Sequence, residues 1–287
     1  MECVFLYNAY NKNKRIIKKL DYIVKRLTEE FGSAEAIGLS SVDEVKDFYA
    51  TKASNYKYVI HSGGDGTFNL MCNFINLCDK KPIMGYLPSG TACDNARKYK
   101  LKKNVKYCLD VYAKKQTVDI DVMKVNDFYS SYVMSKGKFV KVSYNTSTEL
   151  KKKLGMLAYI ISGIKAFFAR ERFVAKIKMD DKVLEEKYLL VLISNSNSIS
   201  GRKLRKDFEK DVINVYTFTG GLLSLALFFL FGEKAIKLLR RTKKYQCKSL
   251  EMEILKARDN EWSNDGEGMV ASKIDVSIEK NIFKLLV

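Results

Sequence analysis

Histidine, proline and tryptophan are nearly missing: 287 residues hold one histidine (His61), two prolines and one tryptophan. The single histidine excludes a His-rich zinc site and argues against a Ser-His-Asp triad. His61 itself is read as a half-buried packing residue in the strand that precedes a glycine-rich turn. The six cysteines (Cys3, Cys72, Cys78, Cys93, Cys108, Cys247) form no CxxC pair, and no secretory signal is read. Reduced thiols in a cytoplasmic protein are expected, without disulfides. No Pro- or Ser-rich linker, internal repeat or low-complexity tract breaks the chain. The most apolar run, Gly220 to Gly232, falls short of the ~20 residues that cross a bilayer, so no transmembrane segment is expected and a buried helix is the favoured reading. Acidic residues are outnumbered, 33 against 51 Lys and Arg, for a net charge of +18. The excess gathers at Lys98 to Lys106, Lys151 to Lys153, Arg202 to Lys206 and Arg240 to Lys244, which draws the protein toward an anionic surface. Nucleic acid is not the expected partner, because no reading helix, zinc finger or aromatic RNA-binding strand is recognisable.

What is present centres on Tyr58 to Asn69, YVIHSGGDGTFN. It reads as a buried strand, a turn of small residues and the opening of a helix, the usual geometry for binding phosphate. Gly63, Gly64 and Gly66 allow positive φ and close backbone approach. Asp65 is out of place in a pure anion cradle, so it either holds a metal bridged to phosphate or takes a proton from an attacking hydroxyl. The same logic returns at Pro82 to Arg97, where a strand runs into Pro88-Ser89-Gly90-Thr91-Ala92-Cys93-Asp94-Asn95-Ala96-Arg97 and brings Asp94 to the same edge.

Around these loops the first 117 residues alternate strand and helix. Cys3 to Tyr7 is a strand, Ile16 to Phe31 a helix, and Ser41-Val42-Asp43-Glu44 a capping box that opens another. Asn104 is read as the cap of a helix carrying Cys108, Leu109 and Tyr112. The rhythm implies an α/β domain with a mostly parallel sheet over 1–117, its ligands bound beyond the carboxyl ends of the strands. From Thr117 the period becomes two. Residues 118–287 are read as a mainly antiparallel β-sandwich domain with helical insertions, among them Glu149 to Arg170, and the last strand is allowed to return to the first domain. Strands are expected at Phe128 to Met134 and Phe139 to Tyr144, with a hairpin of Phe173 to Met179 and Val183 to Ile193 turning at Asp180-Asp181. A late loop, Trp262 to Gly268, places Asp265 and Glu267 around Gly266.

Set side by side, these motifs resemble the diacylglycerol kinase-like lipid kinases, the bacterial enzymes related to sphingosine and ceramide kinases. Ser62 to Asn69 resembles the family's GGDGT loop, and Gly90 to Arg97 its GTxNDxAR motif, with Cys93 where Asn is usual. Asp121 to Asn126 resembles the strand leading into the lipid domain, Leu154 to Tyr159 the LGxLAY helix, and Asp265-Gly266-Glu267 the DGE motif. The resemblance implies an NAD kinase/diacylglycerol kinase-like fold and transfer of the γ-phosphate of ATP to a lipid hydroxyl such as that of diacylglycerol, at the cleft between the domains. It implies ATP and Mg²⁺ as cofactors and peripheral association with an anionic membrane surface that carries the lipid; a homodimer is left open. Carried over residue by residue, Asn8, Ser62, Gly63, Gly64, Asp65, Gly66, Thr67, Gly90, Thr91 and Asp94 would hold the nucleotide. Glu267 and Asp265 would supply the base, with Asp65 its rival, and Asp65, Asp94, Asp121 and Asp211 would organise metal, Asp119 standing in for Asp121 if the alignment slips. Two places depart from the family. Asn8 to Lys12 keeps the Asn of an Asn-Pro-x-x-Gly loop but not its Pro or Gly, leaving Lys12 and Lys14 to compensate, and Glu209-Lys210-Asp211-Val212 lacks the glycine of an Asp-Asp-Gly metal turn. An NAD kinase-like phosphorylation of a ribose hydroxyl, or a non-catalytic nucleotide- or lipid-binding module, are the alternatives.

Overall fold

The computed structural model describes residues 1–10, 15–137, 172–199, 202–203 and 211–287. The expected helix at Glu149 to Arg170 with its Leu154 to Tyr159 motif, the strand at Phe139 to Tyr144, Lys12, Lys14, Glu209 and Lys210 lie outside the described residues, as do the basic patch at Lys151 to Lys153 and part of that at Arg202 to Lys206. The chain divides into two packed units, Met1–Val122 with Glu279–Val287, and Met123–Ile278.

The first unit is an α/β layer structure. Strand β1 (Cys3–Asn8) lies between β2 (Ala34–Leu39) and β3 (Tyr58–Gly63), with β4 (Ile83–Pro88) beyond β3, all parallel. The end of the last strand joins in parallel too, Leu285 standing opposite Met84. Cys3 to Leu6, Tyr58 to Ser62 and Met84 to Pro88 are buried without alternation, because helices cover both faces of a parallel sheet. These are α1 (Leu20–Phe31), α2 (Val42–Thr51), α3 (Asp65–Phe74), the short α4 (Asp94–Lys98) and α5 (Val105–Tyr112). Helix α1 buries Ile23, Leu27 and Phe31, four residues apart and so on one face. The expected caps are present: Ser41 Oγ accepts from the Glu44 amide at 3.1 Å while Glu44 accepts from the Ser40 amide at 2.8 Å, and Asn104 accepts from the Tyr107 amide at 3.0 Å. Strand β5 (Thr117–Val125) leads out of this unit.

The second unit is antiparallel. It contains β6 (Phe128–Ser130), β7 (Val133–Gly137), β8 (Phe173–Met179), β9 (Lys182–Tyr188), β10 (Leu190–Ser194), the short pair β11 (Ser198–Ile199) and β12 (Arg202–Lys203), and β13 (Ile213–Phe218). Helix α6 (Leu222–Phe231) is followed by β14 (Thr242–Cys247), β15 (Ser249–Lys256), β16 (Glu261–Asn264), β17 (Glu267–Val270) and the long β18 (Lys273–Leu286). One sheet runs β14-β13-β10-β7-β16-β17; on the other, the start of β18 pairs with β15, then β8 and β9. Trp262, Ile177, Val191, Met252 and Val276 meet between them, so the core is that of a sandwich. Val183 to Ile193 is not one hairpin arm. It breaks at Leu189, whose amide bonds the Phe218 carbonyl at 2.7 Å; β9 pairs with β8 while β10 enters the other sheet. The alternation of β9 and the unbroken burial of β10 reflect an edge strand and a central strand. Helix α6 buries Leu225 and Phe228 against Tyr216 and Phe218 and leaves Leu230 and Phe231 exposed at its end. Among the described residues no helix is long and apolar enough to cross a membrane.

Candidate functional site

In the first unit the strand ends converge as a parallel sheet requires. Register sets Gly63 beside Pro88 and Asn8 beside Leu39, so the turns after β1, β2, β3 and β4 open on one edge. The two glycine loops touch there. The amides of Ser89 and Gly90 both donate to the Gly63 carbonyl, at 2.8 and 3.2 Å, and Ser62 Oγ donates to Ser89 Oγ at 3.1 Å. A Cβ on Gly63 would collide with Thr67 Oγ1 at 2.0 Å. The glycines therefore serve close approach rather than handedness: Gly63, Gly64 and Gly66 all keep negative φ, and positive φ falls instead on Cys93, at 55°. An Asn tolerates that left-handed position better than a Cys, and the Cys93 thiol is buried there, with its pKa raised by burial.

Asp65 begins α3 and is buried. Its Oδ1 accepts from the Asn95 amide at 2.9 Å and from Asn95 Nδ2 at 3.3 Å, so the carboxylate of one loop is aimed by the other. Asp94 is fully buried and paired with Arg97 at 2.9 Å. Thr91 offers its carbonyl to Lys103 Nζ. Beside this cluster lies a cavity of roughly 210 Å³ lined by Tyr7, Asn8, Ser40, Ser41, His61 and Thr67, among others. Asp121 stands apart from it, on β5, accepting from the Asn281 amide at 2.9 Å, and Asp119 pairs with Lys284 at 3.0 Å.

In the second unit Asp265 is buried at a left-handed turn position, φ 50°, with Gly266 next at φ 94°. Its carboxylate is surrounded by donors: the amides of Ser131, Tyr132 (3.1 Å) and Val133 (2.9 Å), and Ser130 Oγ at 3.4 Å. Burial pushes its pKa up to about 6 against the pull of those donors. These contacts hold the β16–β17 turn to the Ser130 to Val133 segment. Glu267, by contrast, opens β17 with its side chain exposed. Asp211 is exposed with φ 60°. Among the described residues no group of three or more His, Cys, Asp and Glu is gathered to hold a metal, so the acids at 65, 94, 121 and 211 do not form a self-contained metal cage. A phosphate-bridged Mg²⁺ does not need one, since one or two carboxylates complete its shell, and Asp65 fits that need.

Several residues were not read from the sequence as part of the site. Ser40, Ser41 and Tyr7 line the cavity and Asn95 positions Asp65. Ser40 and Ser41 follow β2 directly, so the rule that ligands bind at strand ends would have found them. His61, expected to be half-buried packing, is 4% exposed and forms part of the cavity wall.

Residues 2–125 match the diacylglycerol kinase catalytic domain family. The chain is 33% identical over 159 residues to a diacylglycerol kinase of Staphylococcus epidermidis, covering 55% of this chain and 50% of that protein. It is 29% identical over 209 residues to a diacylglycerol kinase of Staphylococcus carnosus, covering 72% and 68%. The first of these matches thus spans about half the length of the relative. A crystal structure of a diacylglycerol kinase from Bacillus anthracis superposes with a TM-score of 0.78 at 19% identity, over 99% of this chain and 96% of that one, which establishes a common fold.

Proposed function

We propose that this chain, whose residues 2–125 match the diacylglycerol kinase catalytic domain family, is a lipid kinase that transfers the γ-phosphate of ATP to a lipid hydroxyl such as that of diacylglycerol. The observation that carries this reading is the contact of the two glycine loops, with the Asp65 carboxylate aimed by the Asn95 amide. A loop whose backbone must pack this closely leaves amides and a helix N-terminus for the donor's phosphates. Thr67, Ser62, Gly64, Gly66, Gly90 and Thr91 are the groups proposed to meet them. Mg²⁺ bound at Asp65 would neutralise charge that develops on the transferred group. Asp94, locked to Arg97, holds the second loop in shape. Glu267 is the proposed proton acceptor, because its side chain is exposed. Asp265 is assigned the positioning of that turn, since its oxygens are already taken by four donors. The net charge of +18 supports docking on an anionic leaflet where the lipid resides.

The test is purified protein with ATP, Mg²⁺ and vesicles mixing anionic phospholipid with diacylglycerol, sphingoid or monoacylglycerol candidates, read by mass spectrometry of the lipid product. Phosphorylated lipid is expected. Turnover of NAD instead would move the reading to a ribose kinase, and ATP binding without transfer to any lipid would make the chain a binding module.

A further inference from the structure

Among the described residues, the cavity beside the glycine loops has a neutral lining. Tyr7, Asn8, Ser40, Ser41, His61, Ser62 and Thr67 supply its polar atoms, and Leu39, Val42, Val45 and Leu70 the rest, with no Asp, Glu, Lys or Arg among them. A phosphate would find no opposite charge there, whereas an uncharged, flat and partly polar group would be well placed. His61 is the unusual member. It is 4% exposed, and its Nδ1 is a buried nitrogen with no hydrogen-bond partner among the described residues. A buried polar atom left unpaired is costly, and the wall of a ligand cavity is where such a cost can be offset by a ligand. Strand register fixes the ring's place. His61 lies between Leu6 of β1 and Tyr86 of β4, two residues before Gly63, so a ligand with phosphates on the glycine loop would extend its other end past this ring.

We propose that His61 is a donor-recognition residue whose imidazole hydrogen-bonds the nucleoside part of the phosphate donor, seated in the cavity between Asn8, Ser41 and Thr67. The inference rests on the nucleotide reading of this edge and names what that reading leaves open, the group that reads the uncharged end of the donor. The ring needs no change of charge to do this. Burial holds its pKa down at about 4, so at neutral pH it offers one donor and one acceptor, a pairing suited to a nucleobase edge or a sugar hydroxyl.

Because the chain has one histidine, an untagged, ¹⁵N-histidine-labelled full-length protein gives a single pair of ring nitrogen resonances. ATP and adenosine are expected to shift them, and inorganic tripolyphosphate, which lacks a nucleoside, is expected to leave them in place. Calorimetry on the same samples separates the possible failures. ATP that binds without moving the ring signals, or tripolyphosphate that moves them equally, overturns the role of His61 while the donor site stands. Absence of any ATP binding overturns both. In parallel, His61→Leu is expected to weaken ATP binding about five- to tenfold, the size of one hydrogen bond, with the loss in KM rather than kcat. His61→Gln, which restores a polar end, is expected to recover most of it. Equal affinity in both variants and the parent would also sink the assignment, and should the Leu variant fail to fold, the resonance measurement on the parent still decides.

Discussion

Gly90 stands against Gly64 so closely that a Cβ on Gly90 would come within 2.5 Å of the Gly64 Cα and 3.2 Å of its nitrogen. Both atoms are backbone and cannot swing aside. Gly90→Ala is therefore expected to force the two loops apart, with a loss of about 1–3 kcal/mol in urea unfolding, as for other overpacked sites. Lipid phosphorylation should fall by more than this destabilisation explains, because Asp65 loses its aim. A variant with parental stability and turnover would mean that the loops are not mutually supporting.

Asp65→Asn keeps an acceptor oxygen for the Asn95 amide and removes the charge. Turnover is expected to drop by about 10²–10³, the range found when one preorganised electrostatic contact is lost, with the melting temperature little changed. Steady-state kinetics with Mg²⁺ titration, alongside thermal unfolding, checks both halves of the expectation.

The late acidic turn should divide by task. Removing the Asp265 side chain as Asp265→Ala takes away the carboxylate to which the amides of Ser131, Tyr132 and Val133 donate, and a loss of about 3 kcal/mol or more in denaturant unfolding is expected. Glu267→Gln touches an exposed residue and should leave the unfolding midpoint in place while turnover falls. The reverse pattern would exchange the proposed roles.

Burial alone depresses the His61 pKa to about 4, and no charged group lines its cavity among the described residues. The unfolded chain takes up this proton near pH 6.5 and the native chain only near 4, so the unfolded state binds more protons between those values. Stability is then fully present above about pH 6.5 and lost as pH falls toward 4, by roughly 3 kcal/mol for one group with this displacement. Equilibrium unfolding of the parent and His61→Leu from pH 7 to pH 4 should show their stability difference changing by that order over this window and no further above it.

Lys136 is 3% exposed, donates to the carbonyls of Asp259 at 2.8 Å and Glu261 at 3.0 Å, and lies over the Phe173 and Trp262 rings. Lys136→Met fills the space but removes both of these hydrogen bonds. A loss of about 2–4 kcal/mol is expected, measured by urea unfolding, with the first unit's nucleotide binding unaffected.

Local chemistry carried the sequence a long way. The strand, glycine turn and helix at Tyr58 to Asn69, the caps at Ser41 and Asn104, and the change to a period of two near Thr117 depend on neighbours a few residues apart, so they are legible without a fold. Tertiary structure decided what depends on distant neighbours. It split Val183 to Ile193 between an edge strand and a central one, because Leu189 answers to Phe218. It turned Lys136, one of 51 basic residues, from surface charge into a buried clamp. It spent the Asp265 carboxylate on a turn, and of the two uses open to Gly63 and Gly64, positive φ and close backbone approach, it selected close approach to the Gly90 loop. For His61 the sequence gives only a histidine in an apolar strand. Whether such a ring packs, titrates or meets a ligand depends on what three parallel strands and two helix starts leave empty beside it, and that space exists only once the chain has closed around it.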